Sequence, residues 1–315
     1  MKKYEMKTPD GTKDIFLEDL KKRRQCEKIL KEIFIQNNYF EVTTPIFEYF
    51  DLFNSGIGKI AQNEMYCLTD TTGNLMVLRP DSTKPIARLV STRLKNAKLP
   101  LKLFYNQSVY KRNIRLNRKT DEIMQFGGEF IGINGIDSDV EIIRLCSESF
   151  KKLKCDFLIE IGHIDIFKSI IKDLDVGLCE KMRELVFNKN FPALDSFSDK
   201  INTETLNKLK KIPTLFGKEE ILSKARTNFK DLESIKALDY LQSLYDKLKE
   251  LKLDKHVSFD LGIVNDYDYY TGIVFKGYVN KKGDAVLSGG RYDTLYKSFG
   301  LDYPAIGFAF NIDEL

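Results

Sequence analysis

Apolar and polar positions alternate most regularly between residues 103 and 132, on either side of a basic segment. The alternation predicts one strand over residues 104–110 and its antiparallel return over residues 124–131. Residues 111–119, which carry most of the positive charge of this stretch, are predicted to form a long exposed loop between the two strands. The stretch is therefore predicted to be a β-hairpin with a basic tip.

Two polar residues of the return strand share one face of this hairpin. Gln125 and Glu129 are four residues apart, so the twofold period of a strand sends both side chains the same way. Gly127 and Gly128 lie between them and carry no side chain, which leaves a gap above the strand backbone. A carboxylate and an amide that point into a gap suit the ammonium group of a ligand, whereas the simpler alternative is a ribbon with a solvated charged face.

The rest of the chain divides into helical and extended patterns. Helices are predicted between a cap at Asp14 and a stop at Asn37, from about Lys84 to Leu94, and over residues 138–154. The predicted strands are 40–45, a hairpin of 65–72 with 75–78, 157–161, 257–264, 271–279, 285–287 and 305–310. Strands on both sides of a helical stretch predict an α+β fold, in which an antiparallel sheet is flanked by helices.

A shift in composition divides the chain into three parts. Residues from about 165 to 255 are rich in Lys, Glu and Leu, show helical spacing and contain no clear strand. We interpret them as a helical insertion, so that residues 1–164 and 256–315 form the first and second parts of one core. The charged runs of the insertion are predicted to be solvated helix faces.

Three local features have a structural and a functional interpretation. Residues 56–61 fit a dinucleotide-binding glycine pattern, but no strand leads into them, so a loop is the better prediction. His163 follows a predicted strand, where a lone histidine is more often packed than catalytic. Asp81 and Thr83 precede a helix and serve equally well as caps or as pocket residues.

Composition sets outer limits on function. The chain has 315 residues, 43% of them hydrophobic, and a net charge of +4, which suits a globular protein and does not require a nucleic-acid partner. Five cysteines without a CxxC pair suggest reduced thiols in the cytoplasm, and no apolar run approaches a membrane span. We expect no membrane association, no cofactor and no metal site.

Seven ordered blocks resemble the class II aminoacyl-tRNA synthetase catalytic core, and in particular the histidyl-tRNA synthetase family with its paralogue, the regulatory subunit of ATP phosphoribosyltransferase. The resemblance covers nearly the whole chain, and residues 40–48, 110–132 and 305–315 resemble the motifs numbered 1, 2 and 3 of the class. The other blocks are Thr8-Pro9-Asp10-Gly11-Thr12, residues 78–83, Asp268-Tyr269-Tyr270-Thr271-Gly272 and residues 288–293. The resemblance implies the class II core fold.

The chain departs from the synthetases where they hold ATP. Positions that are charged in the synthetases carry Lys111 and Asn113 in motif 2, Asn265 before the tyrosine pair, and Glu314 in motif 3. Lysine lacks the planar fork of arginine, asparagine carries no charge and glutamate repels phosphate. Losing one such donor costs about 10²–10³ in rate, so the loss of three is expected to abolish adenylation.

The amino-acid half of the family's pocket is retained. The resemblance implies that seven residues contact histidine, carboxylates at its ammonium group and tyrosines at its imidazole: Asp81, Thr83, Gln125, Glu129, Tyr269, Tyr270 and Tyr292. The resemblance therefore implies a regulatory subunit without catalytic residues, which activates the short catalytic subunit of ATP phosphoribosyltransferase and relays histidine feedback in the first step of histidine biosynthesis. Motif 1 implies a homodimer within the hetero-oligomer.

Three alternatives stay open on the sequence alone. The chain could be a divergent histidyl-tRNA synthetase core, which pyrophosphate exchange would reveal. It could be an RNA- or protein-binding pseudo-synthetase that uses the basic loop 111–119, which would give a steep salt dependence of RNA affinity. The simplest alternative is a class II-like domain with an empty pocket, kept for assembly.

Overall fold

The computed structural model describes residues 5–112, 120–263, 269–280 and 282–315, in which ten α-helices and twelve strands form. The helices are α1 (Leu17–Gln36), α2 (Asp51–Asn54), α3 (Thr83–Arg93), α4 (Ile136–Lys152), α5 (Ile164–Ile171), α6 (Val176–Phe187), α7 (Phe191–Asp195), α8 (Thr203–Lys211), α9 (Glu220–Asn228) and α10 (Leu232–Glu250). The strands are β1 (Phe40–Glu41), β2 (Phe47–Tyr49), β3 (Cys67–Thr69), β4 (Leu75–Leu78), β5 (Leu101–Tyr110), β6 (Glu122–Ile131), β7 (Phe157–His163), β8 (Phe216–Gly217), β9 (Val257–Asp260), β10 (Ile273–Val279), β11 (Leu287–Arg291) and β12 (Ala305–Asn311).

A nine-stranded sheet forms the centre of the fold, in the order β1-β5-β6-β12-β11-β10-β7-β9-β8. Neighbouring strands run antiparallel except for two parallel pairs, β1 with β5 and β7 with β9. Strands β5 and β6 are the predicted hairpin, in register from Leu101 opposite Ile131 to Tyr110 opposite Glu122. The predicted α+β fold with a mainly antiparallel sheet is confirmed.

One face of this sheet packs against α1 and α4. Phe34 of α1 lies over Phe104 and Phe126, with ring centroids 5.5 and 5.0 Å away. Phe150 of α4 lies edge-on to Phe310, at 5.1 Å. All five rings are buried, and each contributes roughly 1.5–3 kcal/mol to folding. This face therefore carries the larger apolar core, and a second apolar cluster that includes Tyr105, Ile131 and Tyr292 lies on the opposite face.

Helices α5 to α10 follow β7, in the stretch whose composition predicts a helical insertion. The long helix α10 packs on α4, α5 and α9. The expectation of no strand in this stretch is wrong at one place, because β8 pairs antiparallel with β9. Two residues are too few to show a period. The division into residues 1–164, 165–255 and 256–315 stays a prediction.

Several other local predictions differ from the structure. Helix α1 begins after Phe16, and no side chain caps it, so Asp14 is not its cap. Strand β9 ends at Asp260, earlier than predicted, and β11 begins at Leu287, so that the Ser288–Arg291 block lies within a strand. Residues 55–61 form the predicted loop. Within the described residues, every helix is too short or too polar to cross a bilayer.

Candidate binding site

The candidate site lies on the sheet face opposite α1 and α4, where neighbouring strands carry glycines side by side. Glu129 of β6 is paired with Gly307 of β12, and Gly307 is paired with Gly290 of β11. A Cβ atom on Gly307 would overlap Oε2 of Glu129, and one on Gly290 would lie 2.6 Å from the ring of Tyr270. Glycine is therefore required at both positions for a carboxylate and an aromatic ring to lie flat on the sheet.

Glu129 is the central polar group of this face. Its side chain is 1% exposed. The hydroxyl of Tyr292 donates to Oε2, and the hydroxyl of Thr83 donates to Oε1 at 3.0 Å. Burial raises the pKa of Glu129 to about 8, even though both hydrogen bonds lower it. A cation placed beside this buried carboxyl group would stabilise its charged form, because the cation would replace the solvation that burial removes.

The entrance to α3 supplies the polar side chains that face β6. The Ser82 hydroxyl donates to Oε1 of Gln125 at 3.3 Å, so Gln125 and Glu129 meet Ser82 and Thr83, the N-cap and the first residue of α3, as their shared face predicts. Asp81 accepts a hydrogen bond from the backbone N–H of Lys84 at 3.0 Å, which is a helix-capping contact. Burial raises the pKa of Asp81 as well. Asp81 therefore acts as a cap and also adds negative charge beside Glu129.

Three tyrosines close the other side of the site. The ring centroids of Tyr269 and Tyr270 are 4.7 Å apart, and those of Tyr269 and Tyr292 are 5.8 Å apart. All three side chains are buried. A Cβ atom on Gly58, which has a φ of +70°, would lie 2.5 Å from the Tyr269 ring. The loop that the dinucleotide pattern occupies thus serves to cover a tyrosine.

The structure therefore brings together all seven residues that the family resemblance assigns to the amino-acid pocket. It also adds two that the sequence pattern gave no reason to include. Tyr105 of β5 is buried beside Glu129, over Gly127, where a Cβ atom would overlap its ring. Lys84 of α3 is buried, and its Nζ donates to the carbonyl of Ser55 at 3.4 Å. A strand tyrosine and a helix lysine have no sequence signal that separates them from ordinary core and surface residues.

Two of the four positions that depart from the synthetases can be located. Nζ of Lys111 forms a salt bridge with Glu64, at 3.1 Å. Oε2 of Glu314 lies 3.4 Å from Nζ of Lys282. Asn113 and Asn265 lie outside the described residues.

An open cleft of about 300 Å³ adjoins the buried site at Gln125. The described residues that line it include three carboxylates, Asp284, Asp313 and Glu314, and neither lysine nor arginine. The polar floor comes from Ser288 and Asn311. Arg23 donates to Asp313, and Nζ of Lys282 lies 3.4 Å from Glu314, so the described lining offers a polyphosphate acidic side chains and no cation of its own.

The fold and the site define a member of the histidyl-tRNA synthetase family, whose family model, described as histidyl-tRNA synthetase, matches residues 11–315. A solved structure described as an ATP phosphoribosyltransferase regulatory subunit/histidyl-tRNA synthetase, from Bacillus halodurans C, has a TM-score of 0.89 and 30% identity, covering 99% of this chain and 83% of that one. A histidine–tRNA ligase subunit from Alicyclobacillus acidocaldarius has a TM-score of 0.83 over 98% and 95%; at 24% identity it supports the fold alone.

Curated relatives narrow the family further. The chain is 42% identical to the ATP phosphoribosyltransferase regulatory subunit of Clostridium kluyveri, over 98% of this chain and 80% of the relative. It is 38% identical to that of Clostridium botulinum, over 100% and 76%. The chain belongs to the family of ATP phosphoribosyltransferase regulatory subunits. This membership favours the regulatory reading over a divergent synthetase or a nucleic-acid-binding pseudo-synthetase.

Proposed function

We propose that this chain is the non-catalytic regulatory subunit of an ATP phosphoribosyltransferase and that it binds histidine around Glu129. In this role it activates a short catalytic subunit in the first step of histidine biosynthesis and conveys feedback inhibition by histidine. The names of its relatives support the partnership. The observation that carries the proposal is the contrast between a buried Glu129, enclosed by tyrosines, and an acidic cleft beside it.

The groups around Glu129 match the two ends of a histidine molecule. A ligand ammonium would give the buried carboxylate of Glu129 the charge partner that water cannot supply, and such charged hydrogen bonds contribute about 1.5–3 kcal/mol each. Gln125 offers a further oxygen along the same strand face. Tyr269 and Tyr292 offer ring edges and a hydroxyl to an imidazole. The site would therefore hold histidine by its ammonium group and its imidazole ring.

The nucleotide half is proposed to be inactive. Lys111 is paired with Glu64 and presents one ammonium group, which cannot clasp a phosphate in the bidentate way of a guanidinium. Glu314 occupies the position of the motif 3 arginine in the family resemblance, and it lines one cleft together with Asp284 and Asp313. Asn113 and Asn265 add to this argument from the sequence alone. We therefore propose that the chain forms no histidyl adenylate.

The motif 1 region supports a homodimer. Two aromatic residues of β2 are exposed, Phe47 by 51% and Tyr49 by 60%. Ile46, just before them, and Leu75 of β4, the strand that pairs with β2, are also exposed. Phe40 of β1 is 71% exposed. An apolar patch of this kind on strands marks an interaction surface. Replacing Phe47 with Glu is expected to shift the chain from dimer to monomer in sedimentation analysis, and an unchanged dimer would exclude this surface.

The decisive test of the proposal uses the catalytic subunit. Its activity is expected to rise when this chain is added and to fall again with histidine. The Gln side chain of Glu129→Gln is close in shape to the protonated Glu129, so the variant should fold. Inhibition of the complex should require roughly 10–100-fold more histidine, because the ligand ammonium group loses its charged partner. Glu122→Gln, on the same strand but bonded to Ser108 at 3.0 Å, is the matched control and should behave as wild type. Unchanged inhibition in Glu129→Gln would place the histidine site elsewhere.

A further inference from the structure

A tyrosine of the helical stretch connects it to the back of the candidate site. We propose that Tyr240 of α10 is a positioning residue for Tyr292, acting through Asp139 and Arg291, and that it thereby couples the helical stretch to the affinity for histidine. The inference rests on the proposed function, because it concerns the same pocket.

The two segments that carry the site tyrosines are joined to each other. The backbone N–H of Thr271 donates to the carbonyl of Arg291 at 2.8 Å, and the N–H of Asp293 donates to the Thr271 hydroxyl at 2.9 Å. A Cβ atom on Gly272 would lie 3.0 Å from Cδ of Arg291. Tyr270 and Tyr292, which neighbour these residues in the chain, are therefore held as one unit.

Arg291 fixes this unit to α4. Because side chains alternate along a strand, Arg291 points away from the face that Tyr292 continues. Its Nε donates to Oδ1 of Asp139 at 2.9 Å, and its NH2 group donates to the carbonyl of Gly135 at 3.1 Å. The NH1 group donates to Asp293 at 3.0 Å. The Asp139 side chain is fully buried and that of Arg291 is 5% exposed, so this ion pair has no water to replace a lost partner.

Tyr240 supplies a hydrogen-bond donor to the second oxygen of the Asp139 carboxylate. Its hydroxyl donates to Oδ2 at 2.7 Å, while Oδ1 receives Arg291. Without that hydroxyl, Oδ2 of Asp139 would lose its hydrogen-bond donor. A buried polar atom without a partner is costly, so the carboxylate would rotate toward another donor. The Arg291 guanidinium would move with the Asp139 carboxylate, and the end of β11, which leads into Tyr292, would move with Arg291.

A second contact from the same stretch reaches the same unit. Nζ of Lys168, on α5, donates to the backbone carbonyl of Tyr270 at 2.8 Å. Helix α10 packs directly on α5. The helical stretch thus contacts the segment of Tyr270 directly through Lys168 and reaches that of Tyr292 through Tyr240 and Asp139. A shift of α10 and α5 would therefore reach both sides of the tyrosine cluster.

A double-mutant cycle tests the proposal. Histidine affinity is measured by calorimetry, on the complex with the catalytic subunit, for wild type, Tyr240→Phe, Tyr292→Phe and the double variant. Tyr240→Phe is expected to weaken binding by roughly 5–10-fold in the wild-type background and by less than about twofold in the Tyr292→Phe background, because coupled residues are not additive. Equal losses in both backgrounds would show a general structural effect and overturn the proposal.

A measurement without ligand separates this inference from the proposed function. Amide hydrogen exchange at Tyr292 and Asp293 should be faster in Tyr240→Phe than in wild type and unchanged in Tyr245→Phe, a control on the same helix. Lys168→Met should have the corresponding effect at Thr271. If wild type binds no histidine, the proposed function fails, and faster exchange in Tyr240→Phe still supports its positioning role. Unchanged exchange in Tyr240→Phe and in Lys168→Met would contradict the positioning role.

Discussion

The buried site around Glu129 and the open cleft beside Gln125 share one sheet face but differ in how their charges are used. In the buried site, one carboxyl group lies among tyrosines with its oxygens hydrogen-bonded and its pKa raised. In the cleft, Asp284 is exposed, Glu314 is partly exposed beside Lys282, and Asp313 is largely buried against Arg23, while Ser288 and Asn311 add polar side chains to the lining. The comparison shows that one sheet face can carry a buried, hydrogen-bonded carboxyl group and an open cleft lined by acidic side chains next to each other.

The largest expected effect comes from filling the space under Glu129. Gly307→Ala would drive a methyl group into the Glu129 carboxylate, so we expect histidine binding to be lost and the free energy of unfolding to fall by about 1–3 kcal/mol. Calorimetry and thermal unfolding measure the two effects. Gly283→Ala, where an added Cβ has open space, is the matched control. Normal binding in Gly307→Ala would mean that the sheet face is not the site.

A smaller effect is expected from pH. Because the pKa of Glu129 in the folded chain, about 8, is above its ordinary value of 4.5, its contribution to stability is full below pH 4.5 and is lost as the pH rises through about 8. Histidine binding to the charged form should therefore release a proton near pH 7, which calorimetry in buffers of different ionisation enthalpy detects. Glu129→Gln should abolish that release, and an unchanged release would assign it to another group.

The smallest effect is expected in the cleft. Glu314→Gln removes one of three carboxylates and should raise the affinity for inorganic triphosphate only a few-fold, since exposed charges contribute at most about 1 kcal/mol. The gain should disappear in high salt. Asp302→Asn removes a surface charge paired with Lys297 at 3.1 Å, away from the cleft, and is the control. Tight triphosphate binding by wild type would remove the contrast between the two regions.

The local parts of this account could be predicted from the sequence. The twofold period of β6 predicts that Gln125 and Glu129 share a face, and both do meet α3. The hairpin and the fold followed from the same periodicity and from the resemblance. The seven residues proposed to contact histidine came from the resemblance, since no local pattern predicts that Tyr292 lies beside Glu129.

Contacts between distant segments could not be predicted. The burial of Lys84 depends on what packs over α3, and its sequence neighbours read as an ordinary helix entrance. Tyr240 meets Asp139 across 101 positions of the chain. The short strand β8 exists because β9 offers it an edge, a tertiary effect that no two-residue pattern can contain.

The central claim is most directly tested by titrating histidine into the complex of this chain with its catalytic subunit while assaying histidine-dependent ATP–pyrophosphate exchange in the same sample. We predict saturable histidine binding with no exchange above background. Exchange at a clear rate, or the absence of any histidine binding that depends on Glu129, would contradict a site that keeps the amino acid and has given up the nucleotide.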